Sequence, residues 1–336
     1  MDPTWTVQWF KSILILLDDL SVSIDPSSSI GGGDYVLISH AHGDHVAGFR
    51  SKGSKICSSL TAELYSVCYG GRVNEATLLH LPAALKLDSL SIELKEAGHI
   101  LGSAQFLLSH PEHGVLVYTG DLNVEGSIVT SPADVLNCDV LIVDATFGHP
   151  HLKFPPRERL YESIATWTQS VVNAGGTAVL YAHPLGKAQE LVKVLNQYVD
   201  IEPAVHPKIA KVNEVYAKAG VKLRYIEEDR EVREALRGGG AYIVPLRPRP
   251  SKLEAANPYK AVVTGWAAVF EYNAFDKAFP LSGHSSFPTL IEYVKQVGAR
   301  RVYTLGYYAE EMANWIRKRL RIEACSLASR LINRAG

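Results

Sequence analysis

Asp34-Tyr35-Val36-Leu37-Ile38-Ser39-His40-Ala41-His42-Gly43-Asp44-His45 decides the reading of this chain. Its first half is a short apolar run with the length and β-branched content of a buried strand. Its second half packs three imidazoles and one carboxylate into six residues. Imidazole nitrogen and carboxylate oxygen are the donors that zinc and similar ions prefer. A lone histidine reads most simply as a satisfied polar side chain. Four donor-type residues directly after an apolar strand read as a metal site at the rim of a sheet. On an extended backbone His40 and His42 point the same way. Asp44 and His45 lie just beyond, on the turn, and can reach a second ion.

Further donors follow at the ends of other apolar or alternating segments. Asp25 closes Ser23-Ile24-Asp25, His99 follows Ser91–Ala97 and Gly98, and Asp121 follows Val115–Thr119 and Gly120. Each alone fits a turn-capping or surface residue.

The rest of the chain sets the bounds. It has 336 residues, 47% hydrophobic and 21% charged, with formal net charge −1. That describes a globular protein without a global basic field. No apolar run approaches the roughly 20 residues that span a bilayer, so no membrane partner is expected. Ser12–Leu17 reads as the first strand, not as a signal peptide. Cys57, Cys68, Cys138 and Cys325 are scattered without a CxxC pair, which fits a cytoplasmic protein and offers no cysteine metal site.

Short strands with Gly-containing turns dominate the first part: Tyr35–Ile38, Ser54–Cys57, Leu90–Ala97, Phe106–Ser109, Val115–Thr119 and Val140–Asp144. Thr61–Tyr69 is the clearest helix there. From Arg157 the pattern becomes a βα alternation: helix Arg157–Asn173, strand Gly176–Tyr181, helix Leu185–Tyr198. Helix Phe287–Gln296, strand Arg301–Thr304 and helix Ala309–Leu320 close the chain. Arg237–Gly240 is expected to be poorly ordered and Pro248–Pro250 to be a turn or linker. Residues 150–275 carry 17 basic against 13 acidic side chains, while the remainder is acidic. This makes the middle segment the expected phosphate-facing part, with Arg247, Arg249 and Lys252 as candidate backbone contacts. Lys187 is a further candidate, although the Gly and Ser/Thr of a phosphate-binding loop are missing around it and helix packing explains its segment well.

The run His40–His45 matches the HxHxDH signature of the metallo-β-lactamase superfamily. The resemblance implies an α/β fold: an αββα sandwich with the metals at one edge of its sheets. Asp144 in Leu141–Gly148 and His284 in Leu281-Ser282-Gly283-His284-Ser285-Ser286 resemble motifs A and B of the β-CASP nucleases. Thr146–Gly148 and Leu185–Leu191 resemble the short branch that contains ligase-associated DNA exonucleases and mRNA 3′-end processing exonucleases. The resemblance covers nearly the whole chain. It implies a core of residues 1–147 and 276–336 and a small α/β insert of residues 148–275, with substrate entering between them.

The implied ligands are His40, His42 and His99 for one ion, and Asp44, His45 and a bridging Asp121 for a second. Zn²⁺ is the expected ion, one or two per chain, with Mn²⁺ as a substitute. Asp25 is expected to brace the histidines from behind. Asp44 is expected to orient the attacking water as well as to bind metal. His284, oriented by Asp144, is expected to protonate the leaving oxygen. Motif C is usually a histidine in a Thr-His-Gly-Tyr context, and here Thr304-Leu305-Gly306-Tyr307 puts Leu305 in its place. The second site should therefore be the weaker one. An Asp at motif A and a missing motif C histidine both fit the DNA-directed branch.

The expected function is a metal-dependent exonuclease on DNA, with RNA cleavage of the mRNA 3′-end processing type as the alternative. The cellular role that follows is DNA repair or RNA processing. A small-molecule hydrolase of the glyoxalase or lactamase kind has no use for Asp144 and His284. A non-catalytic nucleic-acid-binding subunit would explain Leu305 but not the intact HxHxDH run. His149, His151 and His183 are the unassigned histidines to locate in three dimensions.

Overall fold

The computed structural model describes residues 5–9, 12–17, 20–29, 32–227, 229–230, 232, 236–246 and 257–327. The chain divides into two compact units. The first comprises Met1–Gly126, Ser131–Lys153 and His284–Gly336; the second comprises Ser127–Thr130 and Phe154–Gly283. The main segment of the second unit thus runs from Phe154 to Gly283. The late return has a physical reason: strand Lys277–Phe279 pairs with Pro258–Val263, and Phe279 and Leu281 join the apolar core of the second unit.

Two sheets build the first unit. One holds six strands in sequence order: β1 (Thr6–Trp9), β2 (Ile13–Leu17), β3 (Leu20–Ile24), β4 (Tyr35–Ile38), β5 (Ser54–Ser58) and β6 (Ala76–Leu79). The hairpins β1–β2 and β2–β3 are antiparallel, and β3 to β6 run parallel. Ser12–Leu17 is thus the second strand. Thr6–Trp9 pairs ahead of it, a short alternating segment too brief to stand out by periodicity.

The other sheet has the order β19-β18-β11-β10-β9-β8-β7. Its members are β7 (Ala83–Leu87), β8 (Leu90–Glu96), β9 (Ala104–His110), β10 (Gly114–Tyr118), β11 (Val140–Asp144), β18 (Arg301–Leu305) and β19 (Glu323–Ser326). Strands β7 to β10 are antiparallel neighbours, while β10, β11, β18 and β19 run parallel.

Burial explains the layering. Val7, Ile13, Val22, Leu37 and Ile56 of the first sheet share one apolar cluster with Ile92, Phe106, Leu116, Ile142 and Tyr303 of the second. The other face of the second sheet presents Leu141, Val143 and Val302 to helices Phe287–Gln296 and Ala309–Leu320. Those helices bury Leu290, Ile291, Val294, Met312 and Ile316 at spacings of three and four residues, one stripe each. The other face of the first sheet packs Val36, Ile38 and Cys57 against Ala62 and Tyr65 of helix Ser59–Tyr69. Ser58 caps that helix by accepting from Thr61 N at 3.0 Å, and Gly70 ends it at φ +67°. Glu310 and Glu311 open helix Ala309–Leu320, and Arg317, Lys318 and Arg319 close it, which matches its macrodipole.

The second unit is a parallel sheet of six strands, β14-β13-β15-β12-β16-β17. These are β12 (Thr177–Ala182), β13 (Ala204–Val205), β14 (Ile226–Glu227), β15 (Gly240–Pro245), β16 (Pro258–Val263) and β17 (Lys277–Phe279). Helices Arg157–Asn173, Lys187–Tyr198 and Pro207–Lys218 belong to it. Arg237–Gly240 is ordered here: a turn at Leu236–Gly238 leads into β15. Gly239 takes φ +95°, and Gly240 N donates to Gly176 O at 3.1 Å. The glycines serve a tight entry into a central strand. Pro248–Pro250 lies outside the described residues.

Candidate metal centre

Every donor of the candidate site sits at or beyond the C-terminal end of a strand in the first unit. Asp25 follows β3, His40 to His45 follow β4, His99 follows β8 and Asp121 follows β10. Asp144 ends β11 and Leu305 ends β18. These ends face one edge, where an open α/β sheet offers backbone termini and loops to a ligand. The structure thus gathers residues as far apart in sequence as Asp25 and His284 into three donor groups linked through His40 and Asp121.

His40, His42, His99 and Asp121 each bring a donor atom, all within 4.8 Å of one another. His99 Nε2 lies 3.0 Å from His42 Nδ1, and His40 Nε2 and His99 Nε2 each lie 3.3 Å from Asp121 Oδ2. Donors ~2.0–2.1 Å from a tetrahedral ion are about 3.3 Å apart. The four atoms have the spacing of one coordination shell.

The tautomer of His40 follows from its neighbours. Ser39 Oγ donates to the Asp25 carboxylate at 2.5 Å, so the His40 Nδ1–H donates to Ser39 Oγ at 2.9 Å. In the neutral ring Nε2 then carries a lone pair. That nitrogen is buried, makes no hydrogen bond, and faces a carboxylate oxygen. A lone pair opposite an anion repels unless a cation lies between them.

Asp25 supplies the brace. Its Oδ2 accepts from Ser39 Oγ, from Tyr118 Oη at 2.8 Å and from His45 Nδ1 at 2.8 Å; its Oδ1 accepts from Ser39 N at 2.8 Å. Three of these four donors saturate Oδ2, which suits a bracing role, although Asp25 also lies in a donor group with His40 and His45. Its backbone sits at φ +43°, a strained value that Asp tolerates better than most residues. Burial opposes its charge, but His45 and His40 and the Ser39 bond outweigh burial and lower its pKa. Tyr118, buried against Asp25 and Asp121, stays a phenol.

Fixing His45 Nδ1 on Asp25 aims Nε2 outward. It lies 3.5 Å from Asp121 Oδ1 and 3.7 Å from Asp44 Oδ2. The two oxygens of Asp121 thus face two groups of donors, the arrangement of a bridge. Burial disfavours a His45 imidazolium, yet Asp121, Asp25 and Asp44 overcome it and raise its pKa to about 10. A site that draws a proton so strongly draws a cation for the same reason. Asp121 is likewise held well below the usual carboxylate range: burial opposes ionisation, and His45, His40, His284 and His99 prevail. Asp44, 83% exposed, stands at the open rim.

A cavity of about 290 Å³ opens beside this second group, lined by Trp9, Ile13, Asp44, His45, Asp121, Asp144, Thr146, Leu305 and Gly306 among others. Leu305 gives it a hydrocarbon wall where an imidazole would be needed for a further donor.

Asp144 and His284 meet. His284 Nδ1 lies 2.7 Å from Asp144 Oδ2, which leaves its Nε2 facing Asp121 Oδ2 at 3.8 Å. Asp144 is anchored by Leu122 N at 3.2 Å and Thr146 N at 2.8 Å. Ser285 N donates to Leu122 O at 2.7 Å, and Ser285 Oγ accepts from Val124 N at 2.9 Å, pinning the loop that carries His284. His284 does not cap the helix that follows it; Ser286 holds that position.

The remaining candidates lie elsewhere. Lys187 is the first residue of helix Lys187–Tyr198 in the second unit. Burial pushes its ammonium down to about 8, with Glu190 opposing and Arg157 assisting. His183 Nδ1 lies 2.9 Å from Leu185 O. His149 and His151 join none of the donor groups among the described residues; His149 packs against Tyr308, and His151 against His149. Arg247, Arg249 and Lys252 lie outside the described residues. Ser39 and Tyr118 escaped sequence reasoning, since neither is a metal donor; the one signal was that each stands beside or just before a donor.

No helix among the described residues is long and apolar enough to cross a membrane. No protein-family model matches the chain. A crystal structure of a protein of unknown function from Enterococcus faecalis V583 shares the fold, with a TM-score of 0.66 over 95% of this chain and 96% of that one, at 11% identity. A probable DNA ligase of Opitutus terrae is 34% identical over 84% of this chain and 28% of its own length. An RNase J-like protein of Methanocaldococcus jannaschii is 28% identical over 49% of this chain and 44% of its own. The chain thus spans less than half the length of either relative. Relatives of this kind are members of the metallo-β-lactamase/β-CASP nuclease family, the family that the HxHxDH run of this chain resembles.

Proposed function

We propose that the chain is a metal-dependent nuclease that hydrolyses phosphodiester bonds, with its first unit a metallo-β-lactamase αββα sandwich and its second a β-CASP insert. The buried His40 Nε2, which makes no hydrogen bond and faces Asp121 Oδ2 at 3.3 Å, carries this reading, because a metal cation held between the two makes that contact favourable. His40, His42, His99 and Asp121 would hold a first ion; Asp121, His45 and Asp44 would hold a second, more weakly for want of an imidazole at Leu305. Zn²⁺ fits the nitrogen-rich donor set, with Mn²⁺ as a substitute. When bound, the ion makes water acidic enough to attack at neutral pH and offsets charge developing on the phosphoryl oxygens.

The chain's own residues do the rest. Asp44, at the rim, accepts a hydrogen bond from the attacking water. Asp144 holds the Nδ1–H of His284, and His284 Nε2 delivers a proton to the departing oxygen. Asp25 keeps His45 in the tautomer that presents Nε2 outward. Replacing Asp25 with Asn puts an amide NH₂ among donors that need an acceptor. The Asp25→Asn variant should bind Zn²⁺ about 10- to 100-fold more weakly, read by competition with a chromophoric chelator. Unchanged affinity would remove Asp25 from the role.

An exonuclease on DNA is the first form of the proposal. Support comes from the extent of likeness to a probable DNA ligase, 84% of the chain, and from Asp144 and Leu305 at motifs A and C. The RNase J-like relative supports RNA as the second form. Leu305 also supports a third, a nucleic-acid-binding subunit with a failing second metal site. Strands of DNA and RNA labelled at either end, incubated with Zn²⁺ or Mn²⁺, separate them. Mononucleotides released from one end of DNA fit the first. Cleavage confined to RNA replaces it with the second, and binding without cleavage leaves the third.

A further inference from the structure

Beside the metal cavity four aromatic rings follow one another. Tyr307 meets Tyr308 edge-on with centroids 4.8 Å apart; Tyr308 meets His149 at 5.3 Å; His149 meets His151 at 5.2 Å. Tyr307 is 63% exposed, the most exposed of the large hydrophobic side chains among the described residues, and His151 is exposed as well. Single exposed aromatics are ordinary. A row of rings that begins one residue after the cavity-lining Gly306 and leaves Tyr307 so exposed is not, because that ring gives up hydrophobic burial.

The row is held in place. Ala145 N donates to Leu305 O at 2.6 Å, and Tyr308 N donates to Ala145 O at 3.0 Å. Between these bonds Gly306 adopts φ +122°, and a Cβ there would lie 2.8 Å from Thr146 N. The loop is thus clamped to the segment that carries Asp144. Leu305 and Gly306 line the cavity that Asp121 and Asp144 share. One peptide, about 3.8 Å between Cα atoms, carries the chain from Gly306 to Tyr307.

We propose that Tyr307, backed by Tyr308 and His149, is a stacking platform for the nucleobase next to the scissile phosphate. The proposal rests on the nuclease reading above and adds what the site selects. A phenol ring offers one flat face, which every nucleobase can cover whatever its identity. A base inside a duplex has both faces covered by its neighbours. Stacking on Tyr307 therefore demands an unpaired base, and the platform selects single-stranded ends without reading sequence.

Tyr307→Ala and Tyr307→Phe, in the full chain loaded with Zn²⁺, test this. The probes are oligonucleotides with natural bases, or with one abasic sugar moved along the three nucleotides at the attacked end. Binding is read by fluorescence anisotropy and cleavage by product release. Tyr307→Ala should weaken binding of the natural strand about 5- to 150-fold, and Tyr307→Phe by less than about twofold. One abasic position should cost the wild type as much, and the two losses should not add. A Tyr307→Ala protein that binds the natural strand like wild type, or losses that add in full, overturns the platform and leaves the nuclease reading intact. Failure of the wild type to bind or cut any strand overturns both.

Discussion

Stripping the metal, or replacing His40 with Ala, should abolish strand cleavage. Water has a pKa of about 15.7, against about 7 when an ion such as Zn²⁺ activates it, so the loss should exceed 10⁴-fold and reach the assay background. The two treatments differ in their reversibility. Zn²⁺ added back should restore the stripped wild type. His40→Ala should stay inactive at stoichiometric metal, because His42, His99 and Asp121 alone leave one corner of the shell open. The substitution also removes the donor to Ser39 Oγ, and with it one of the links that position Asp25. Metal content by elemental analysis, measured with cleavage rate on the same samples, checks this. Full activity after exhaustive chelation would mean that the donor cluster is not the catalytic centre.

Replacing His284 with Ala should lower kcat by about 10²- to 10⁴-fold, the usual worth of a positioned general acid, while leaving metal content unchanged. The second half of that statement separates a proton donor from a ligand. His284 Nε2 lies 3.8 Å from Asp121 Oδ2, farther than His40 or His99, and its other nitrogen is committed to Asp144. Asp144→Asn should lose rate in the same range, because an amide can present N–H where the carboxylate accepts and so favours the wrong tautomer. A substrate whose leaving group needs no proton, such as a nitrophenyl phosphodiester, should recover most of the loss in both variants. If His284→Ala loses its metal, or loses equally on both substrates, His284 is a ligand and not the acid.

Much of this centre was legible in the sequence, for a reason that can be named. Metal donors are few in kind, and strand ends are marked by the change from apolar residues to Gly, Asp and Ser. The run His40–His45 is therefore visible from its residues alone, whereas His99 and Asp121 are singled out only through family resemblance. The supporting contacts could not. Tyr118 reaches Asp25 across 93 positions of sequence, and nothing in its surroundings distinguishes that phenol from any other core tyrosine. The pairing of Asp144 with His284, 140 positions apart, came only through family resemblance.

The strands show the same division. Val140–Asp144 and Tyr35–Ile38 are buried throughout or nearly so, and their apolar runs mark them. Ala76–Leu79 and Ala83–Leu87 are half-exposed, and partners in the sheet, not local pattern, make them strands. Helix Pro207–Lys218 begins with His206 accepting from Lys208 N at 3.1 Å, a cap that residue type alone does not suggest. The glycines of Arg237–Gly240 suggest low order by composition alone, whereas Gly239 at φ +95° turns the chain into the strand that follows.

The central claim is that the cluster around Asp121 binds metal in order to cut nucleic acid. The most direct test titrates metal-stripped protein with Zn²⁺ while following release of labelled nucleotide from single-stranded DNA and RNA. No cleavage is expected at zero equivalents, and cleavage should rise with the ion, a first equivalent binding tightly and a second more weakly because Leu305 offers no donor. Intact strands of both kinds at saturating metal, with the ion shown to be bound, would contradict it.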